Sequence, residues 1–222
     1  MTNKNASFVL EPEAVAQITP YGVSYPAHGI AKTADEAVGV ADGIGYPVVM
    51  KIVSKDAPHK SDVGGVVAGL ADADGVRSGY QKIMDSVTSA LPDADISGVL
   101  ICKQAPEGVE VIIGATEDPI FGMTIMFGLG GIFTEVLKDV SFRIAPLEQI
   151  DAEEMIREIK GYPMLTGVRG QEPCDLDSLA DLLVGVSKFV ADRPDITELD
   201  LNPVRAYPEG VQVLDVRIIK KS

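Results

Sequence analysis

The chain has 222 residues, 46% hydrophobic and 23% charged, with a formal net charge of −14. That length and apolar content suit one large domain or two small lobes. A surface this acidic repels nucleic acid and anionic lipid, so neither is expected as a partner. No apolar run reaches the roughly 18 residues of a membrane span, and the start "MTNKNASFVL" lacks the core of a secretory signal, so a cytoplasmic protein is expected.

The first six residues are polar. A short helix is expected from Glu11 to Ile18, broken by "TPYGVSYP". Thr33 and Glu36 form a capping-box pattern before "ADEAVGVADGI", and Gly45 with Pro47 ends that helix. Strands are expected at Val48–Val53 and near Gly65–Leu70. Between Asp74 and Ala90, Val76, Tyr80, Ile83, Met84 and Val87 recur at helical spacing. "SGVLICKQ" and "GVEVIIGAT" read as strands separated by the turn "APEG", and "MTIMFGLGG" as a strand ending in glycines. "DAEEMIREIK" reads as a helix with Asp151 as N-cap. A further helix from Leu176 to Val190 is capped by Asp175, and the chain closes on a hairpin around "YPEG". The mixture indicates an α+β fold of two lobes, 1–102 and 103–222, joined near Lys103–Pro106.

Cys102 and Cys174 are far apart in no metal-like spacing, so two free thiols are expected. The only histidines are His28 and His59, and the composition speaks against zinc. "GYPVVMKIVSKDAPHKSDVGGV" is the densest candidate segment. Its strand alternation puts Val49, Lys51 and Val53 on one face and Val48, Met50 and Ile52 on the other. A buried ammonium there requires an anion, whereas at a strand end it would reach water. Gly64-Gly65 is either a phosphate-facing turn or a plain hairpin turn. His59, in a polar loop, is either a nucleophile or a solvated side chain, and His28, in "YPAHGI", is read as structural. In "FGLGGIF", Gly128 and Gly130 match the first two glycines of a dinucleotide fingerprint, but Phe133 replaces the third and no βαβ context surrounds it.

Asp200 and Asn202 lie two apart on one strand, and Asp215 interrupts the apolar "VQVLDVRII". Oxygen ligands on adjacent strands suit magnesium, which keeps waters and bridges to phosphates; a polar sheet face gives the same pattern. Glu107 and Glu110 follow the joint, and a carboxylate at Glu110 either holds ribose hydroxyls or faces water.

Together, "GYPVVMKIVSKDAPHKSDVGGV", "EGVEVIIGATEDPIFGMTIMFGLGGIFTEVLKDVSFRIAPL", "LTGVRG" and "ELDLNPV" resemble the ATP-grasp (β) subunit of the ADP-forming acetate–CoA ligases, over about Phe8 to Ile219. The resemblance implies an ATP-grasp fold, two lobes clasping a nucleotide. It implies the reaction acyl-CoA + ADP + phosphate ⇌ carboxylate + CoA + ATP, with ATP/ADP and Mg2+ bound. It also implies a CoA-binding α subunit as partner, in an α2β2 heterotetramer. His59 falls on the family's phosphoryl-carrying histidine. Lys51, Gly64, Gly65, Lys103, Gln104, Ala105 and Glu110 fall on nucleotide-binding positions, Asn202 and Asp215 on the magnesium ligands, and Arg143, in "SFRIAPL", on phosphate stabilisation. Ala57-Pro58 stands where relatives carry bulkier apolar residues, a departure bearing on loop stiffness. No glycine fingerprint for a CoA-binding Rossmann portion occurs, so half an enzyme is expected. Two other readings use the same fold. One is a carboxylate–amine or carboxylate–thiol ligase that makes its own acyl phosphate. The other is a nucleotide-sensing regulatory module.

Overall fold

The computed structural model describes residues 6–131, 138–168, 170 and 172–221. It divides into two compact units, Pro26–Pro106 and Met1–Tyr25 with Glu107–Ser222. This partition differs from a linear split after residue 102. The joint falls at residues 106/107, and the first 25 residues belong with the C-terminal unit. The reason is strand pairing: β1 (Ala6–Val9) pairs antiparallel with the last strand, Phe8 facing Ile219. Helix α1 (Glu11–Ile18) follows, with a proline in its first turn, where the missing N–H costs nothing. Its Ala14, Val15 and Ile18 enter the same core.

The unit Pro26–Pro106 contains β2 (His28–Ala31), α2 (Ala34–Ile44), β3 (Val48–Ser54), β4 (Val66–Leu70), α3 (Ala73–Ala90) and β5 (Ile96–Lys103). The four strands form an antiparallel sheet in the order β2-β5-β3-β4. Local sequence sets the helix ends. The Thr33 hydroxyl accepts from Glu36 N–H at 3.2 Å, while the Glu36 carboxylate accepts from Lys32 N–H at 2.7 Å, one residue earlier than an ideal capping box. Gly45, at φ +86°, ends α2. Asp72 caps α3 through Gly75 N–H at 2.8 Å. Both helices cover one face of the sheet, packing Ala37, Ala41, Val76, Ile83 and Val87 against Val48, Met50 and Ile52.

The second unit continues with β6 (Val109–Asp118), β7 (Gly122–Leu129), β8 (Val140–Ile144), α4 (Gln149–Glu158), α5 (Leu176–Ala191), β9 (Ile196–Ala206), β10 (Val211–Val213) and β11 (Val216–Lys221). Among the described residues its sheet runs β1-β11-β9-β6-β7-β8, with β10 paired to β9, and every pairing is antiparallel. Residues of α1, α4 and α5 share its core, which centres on Phe127, Met155 and Phe189. Truncating a buried phenylalanine to alanine there would cost about 3–5 kcal/mol.

Two local expectations change. The N-cap of α4 is Glu148, with Asp151 as the third helical residue returning a bond to Glu148 N–H at 2.8 Å. "APEG" joins strands of separate sheets and closes no hairpin. The "YPEG" hairpin forms as expected, Tyr207 N–H donating to the Gly210 carbonyl at 3.1 Å. Phe133 lies outside the described residues, as do residues 1–5 and Arg169 of "LTGVRG".

Candidate functional site

Lys51 lies inside β3, paired with Leu100 on one side and Val66 on the other, and is only 7% exposed. Its neighbours Met50 and Ile52 enter the core beneath α2 and α3, so Lys51 points to the opposite face, as strand alternation predicts. A charge so deeply buried is stable only with compensating groups.

β3 leads into the loop that carries His59. Ser54 Oγ accepts from Asp56 N–H at 3.1 Å, Asp56 accepts from Asp95 N–H at 2.8 Å, and Ala57, 2% exposed, anchors the loop in the core. Ala57 therefore serves as a small buried anchor for the loop. His59 is exposed and opens a short 3₁₀ turn, Lys60–Val63, its carbonyl accepting from Asp62 N–H at 3.1 Å.

The glycine pair does not present open N–H groups. Gly64 N–H donates to the Ser61 carbonyl at 3.2 Å and Gly65 N–H to the Lys60 carbonyl at 2.7 Å, while Gly65's carbonyl accepts from Ile52 N–H at 2.7 Å. Gly64 is required by its φ of +68°, and Gly65 because a Cβ would come within 2.5 Å of Ile52 Cγ2. The pair closes the loop tightly onto β3.

At the end of β5, side chains brace their own unit. Lys103 Nζ donates to the Gly45 and Tyr46 carbonyls at 3.2 and 2.6 Å, and Gln104 Oε1 accepts from Gly69 N–H at 2.7 Å. The backbone is engaged as well: Lys103 N–H donates to the Ala27 carbonyl at 2.8 Å and Gln104 N–H to the Pro47 carbonyl at 3.1 Å. His28 opens β2 opposite Cys102, with Nδ1 2.9 Å from the Pro26 carbonyl, in keeping with a structural role.

In the other unit, β9 carries a bulge. Val111 faces Val204 and Ile113 faces Leu201, so Asn202 and Pro203 together oppose Ile112. The burial phase shifts there, from Leu199 and Leu201 to Val204 and Ala206. The phase changes only after Asn202, so Asp200 and Asn202 share the face opposite buried Leu199 and Leu201, as alternation predicts, and Asn202 is exposed. The facing chain breaks at the same level, between β10 and β11. Asn202 N–H donates to the Asp215 carbonyl at 3.3 Å and Leu214 N–H to the Pro203 carbonyl at 2.9 Å. Asn202 and Asp215 are thus adjacent at paired irregularities. Among the described residues no group of three or more His, Cys, Asp or Glu side chains forms a metal cage. An adjacent amide and carboxylate fits a hard cation completed by water and phosphate, the ordinary mode for Mg2+.

Glu110 sits on β6 directly opposite Arg205 of β9. Arg205 donates Nε and Nη2 to Glu110 Oε1 at 3.2 and 3.0 Å. Gly130, just beyond β7, donates N–H to the Glu110 carbonyl at 2.8 Å, and a Cβ there would lie 3.1 Å from Glu110 Cβ. Gly128 is an interior residue of antiparallel β7, so the partial dinucleotide fingerprint has no βαβ setting. Glu107, Glu110, Glu172 and Tyr207 join Val109, Leu129, Met164, Cys174 and Ala206 around a cavity of about 570 Å³. That is the size and make-up of a small-molecule pocket, apolar walls with a few polar groups. Asp175 ties α5 to its rim, accepting from Ser178 N–H at 2.9 Å and Gly210 N–H at 2.9 Å; these bonds, that from Ser178 first, lower its pKa. Burial raises the pKa of the Cys174 thiol. Arg205, Glu172 and Tyr207 carry no motif. Only the β6–β9 register places Arg205 on Glu110.

Arg143 lies on β8. It pairs with buried Ile125 and so lies on the helix side of its sheet. There Nη1 donates to Glu158 at 2.8 Å and Nη2 lies 3.6 Å from Glu154, contacts that raise its pKa, that with Glu158 foremost. Its charge is matched by α4.

The pattern of the ATP-grasp domain matches residues 1–219, and the paired antiparallel sheets agree with that class. The β subunit of acetate–CoA ligase (ADP-forming) I from Pyrococcus furiosus is 47% identical over 211 residues, covering 95% of this chain and 91% of that subunit. The single-chain acetate–CoA ligase (ADP-forming) I of Archaeoglobus fulgidus is 46% identical over 211 residues, but the chain spans only 31% of its length. Acetyl-coenzyme A synthetase 1 of Candidatus Korarchaeum cryptofilum, solved with coenzyme A and Ca-AMPCP, superposes with a TM-score of 0.95 at 48% identity, covering 96% of this chain and 93% of that one. The same enzyme solved with Mg-AMPPCP has its phosphohistidine segment pointing towards the nucleotide binding site (TM-score 0.84, 45% identity, 96% and 93% covered). The chain is therefore an ATP-grasp domain. It belongs to the β-subunit family of the ADP-forming acetate–CoA ligases.

Proposed function

We propose that this chain is the nucleotide-binding, phosphoryl-relay subunit of an ADP-forming acyl-CoA synthetase. It works with a separate CoA-binding α subunit, in an α2β2 assembly, on acyl-CoA + ADP + phosphate ⇌ carboxylate + CoA + ATP. The observation that carries this reading is an exposed histidine, His59, on the loop leaving the strand of buried Lys51, in a chain that matches separate β subunits almost end to end. The Korarchaeum enzyme's phosphohistidine segment lends support.

In this reading an imidazole nitrogen of His59 bonds to phosphorus as the bond to the α-subunit carrier breaks. A terminal phosphate oxygen of ADP then attacks, the N–P bond breaks, and neutral imidazole returns. Such transfers depend on positioning and charge neutralisation. Lys51 supplies a desolvated cation toward phosphate, and Glu110 accepts hydrogen bonds from ribose hydroxyls. Lys103, Gln104 and Ala105 hold the nucleotide. Asn202 and Asp215 would hold Mg2+, which when bound offsets phosphate charge. Gly64 and Gly65 act by holding the His59 loop on β3.

The test is labelling of the chain with γ-labelled ATP and magnesium, with and without an α subunit. Acid-labile, base-stable label is expected on wild type and absent from His59→Asn. Folded wild type that binds nucleotide yet never labels beside a working α subunit would reject the relay and favour a sensing module. A fully active His59→Asn would favour a ligase that makes its own acyl phosphate.

A further inference from the structure

The cavity of the second unit carries three carboxylates, Glu107, Glu110 and Glu172, in a chain of net charge −14. Such a wall is poorly suited to an anionic nucleotide unless one carboxylate is neutralised and aimed. Glu110 is the carboxylate so treated. Arg205 opposes it in register and directs two donors at one oxygen, Oε1, at 3.2 and 3.0 Å. A carboxylate can accept about four hydrogen bonds, so Oε2 keeps its capacity for a ligand. The backbone under Glu110 is fixed from the other side by Gly130, which donates at 2.8 Å and packs so closely that a Cβ there would lie 3.1 Å from Glu110 Cβ. On the far side of Arg205, β10 sets Gln212 in the same cross-strand row.

We propose that Arg205 is a positioning residue for nucleotide recognition: it orients Glu110 toward sugar hydroxyls and offsets its charge. This rests on the nucleotide-binding reading above. Arg205 acts through Glu110, so its removal should blunt discrimination by the sugar, an effect that merely loosening the fold would not produce.

The experiment compares binding of ADP and 2′,3′-dideoxy-ADP to the full chain in magnesium buffer by calorimetry, for wild type, R205M, R205K, E110Q and the R205M/E110Q double variant. Wild type should prefer ADP by about tenfold or more, the scale of hydrogen bonds to a charged group. R205M and E110Q should each reduce that preference to about threefold or less, the double variant should add little to either, and R205K should recover part of it. E110Q keeps the test informative if R205M folds poorly, because it retains side-chain shape. An R205M chain that binds ADP with the wild-type preference overturns the proposal, as do additive effects of the two substitutions. Wild type that binds both nucleotides equally overturns it while leaving nucleotide binding intact. Wild type that binds neither overturns the proposal together with the nucleotide reading beneath it.

Discussion

Gly65→Ala should destabilise the Pro26–Pro106 unit strongly, because the loop bearing His59 is sterically closed at this point. The new Cβ would lie 2.5 Å from Ile52 Cγ2 and 2.8 Å from the Lys60 carbonyl oxygen. Ile52 is fully buried and cannot swing aside. The Lys60 carbonyl accepts Gly65's own N–H at 2.7 Å, so moving it breaks the bond that closes the turn. Overpacking costs about 1–3 kcal/mol and a lost hydrogen bond about 1 kcal/mol. A total of about 2–4 kcal/mol is expected. Gly64→Ala meets a different obstacle. Its φ of +68° costs an L residue roughly 1–2 kcal/mol, and Ser86 Cβ, 2.9 Å from the new atom, adds to it. Two controls separate the causes. Gly69→Ala has φ +75° but open space, so only the backbone cost applies. Gly43→Ala, in α2 with nothing within 4 Å, should stabilise by about 0.5 kcal/mol. Urea unfolding of the full chain, followed by circular dichroism, ranks the four variants. Gly65→Ala no more destabilising than Gly69→Ala would refute the steric argument.

Arg143→Gln should lower stability by about 1 kcal/mol or less, since its partners are largely exposed carboxylates. It should leave histidine labelling near wild type; a loss of labelling with an unchanged melting temperature would restore the phosphate role. Asp195, bonded to Arg193 at 3.2 Å and Lys220 at 3.2 Å, has its pKa lowered to about 2, the Arg193 hydrogen bond contributing most. A carboxylate depressed on folding stabilises above its unfolded pKa of 3.8 and loses that contribution as pH falls toward about 2. The Asp195→Asn deficit in melting temperature should therefore be present at pH 7 and shrink between pH 4 and about 2; after solvent screening it should correspond to about 1 kcal/mol at most. An unchanged deficit at pH 2 would contradict this. Cys102 and Cys174 are both free and buried, so a thiol reagent should react slowly with native protein and count two thiols after unfolding. Fast native reaction would contradict their burial.

The local elements were largely legible because short-range chemistry sets them. The α1 bounds, the Thr33 and Asp175 caps and the alternation that buries Met50 and Ile52 but turns Lys51 away follow from residues a few positions apart. Glu148 was missed as the cap of α4 because Asp151 offers the same chemistry three residues later. The order of candidate residues, and the family they resemble, could also be read before any coordinates.

Long-range pairing decided the rest. Periodicity carries no register, so it could not show that β1 completes the C-terminal sheet or that Arg205 meets Glu110 across β6 and β9. The bulge that brings Asn202 beside Asp215 depends on two strands accommodating one extra residue. Arg143 keeps its sequence motif, yet tertiary packing commits its charge to α4. For Gly64 and Gly65 the sequence determined that side chains are absent. Only the fold decided why: one backbone angle and one buried isoleucine leave no space for them.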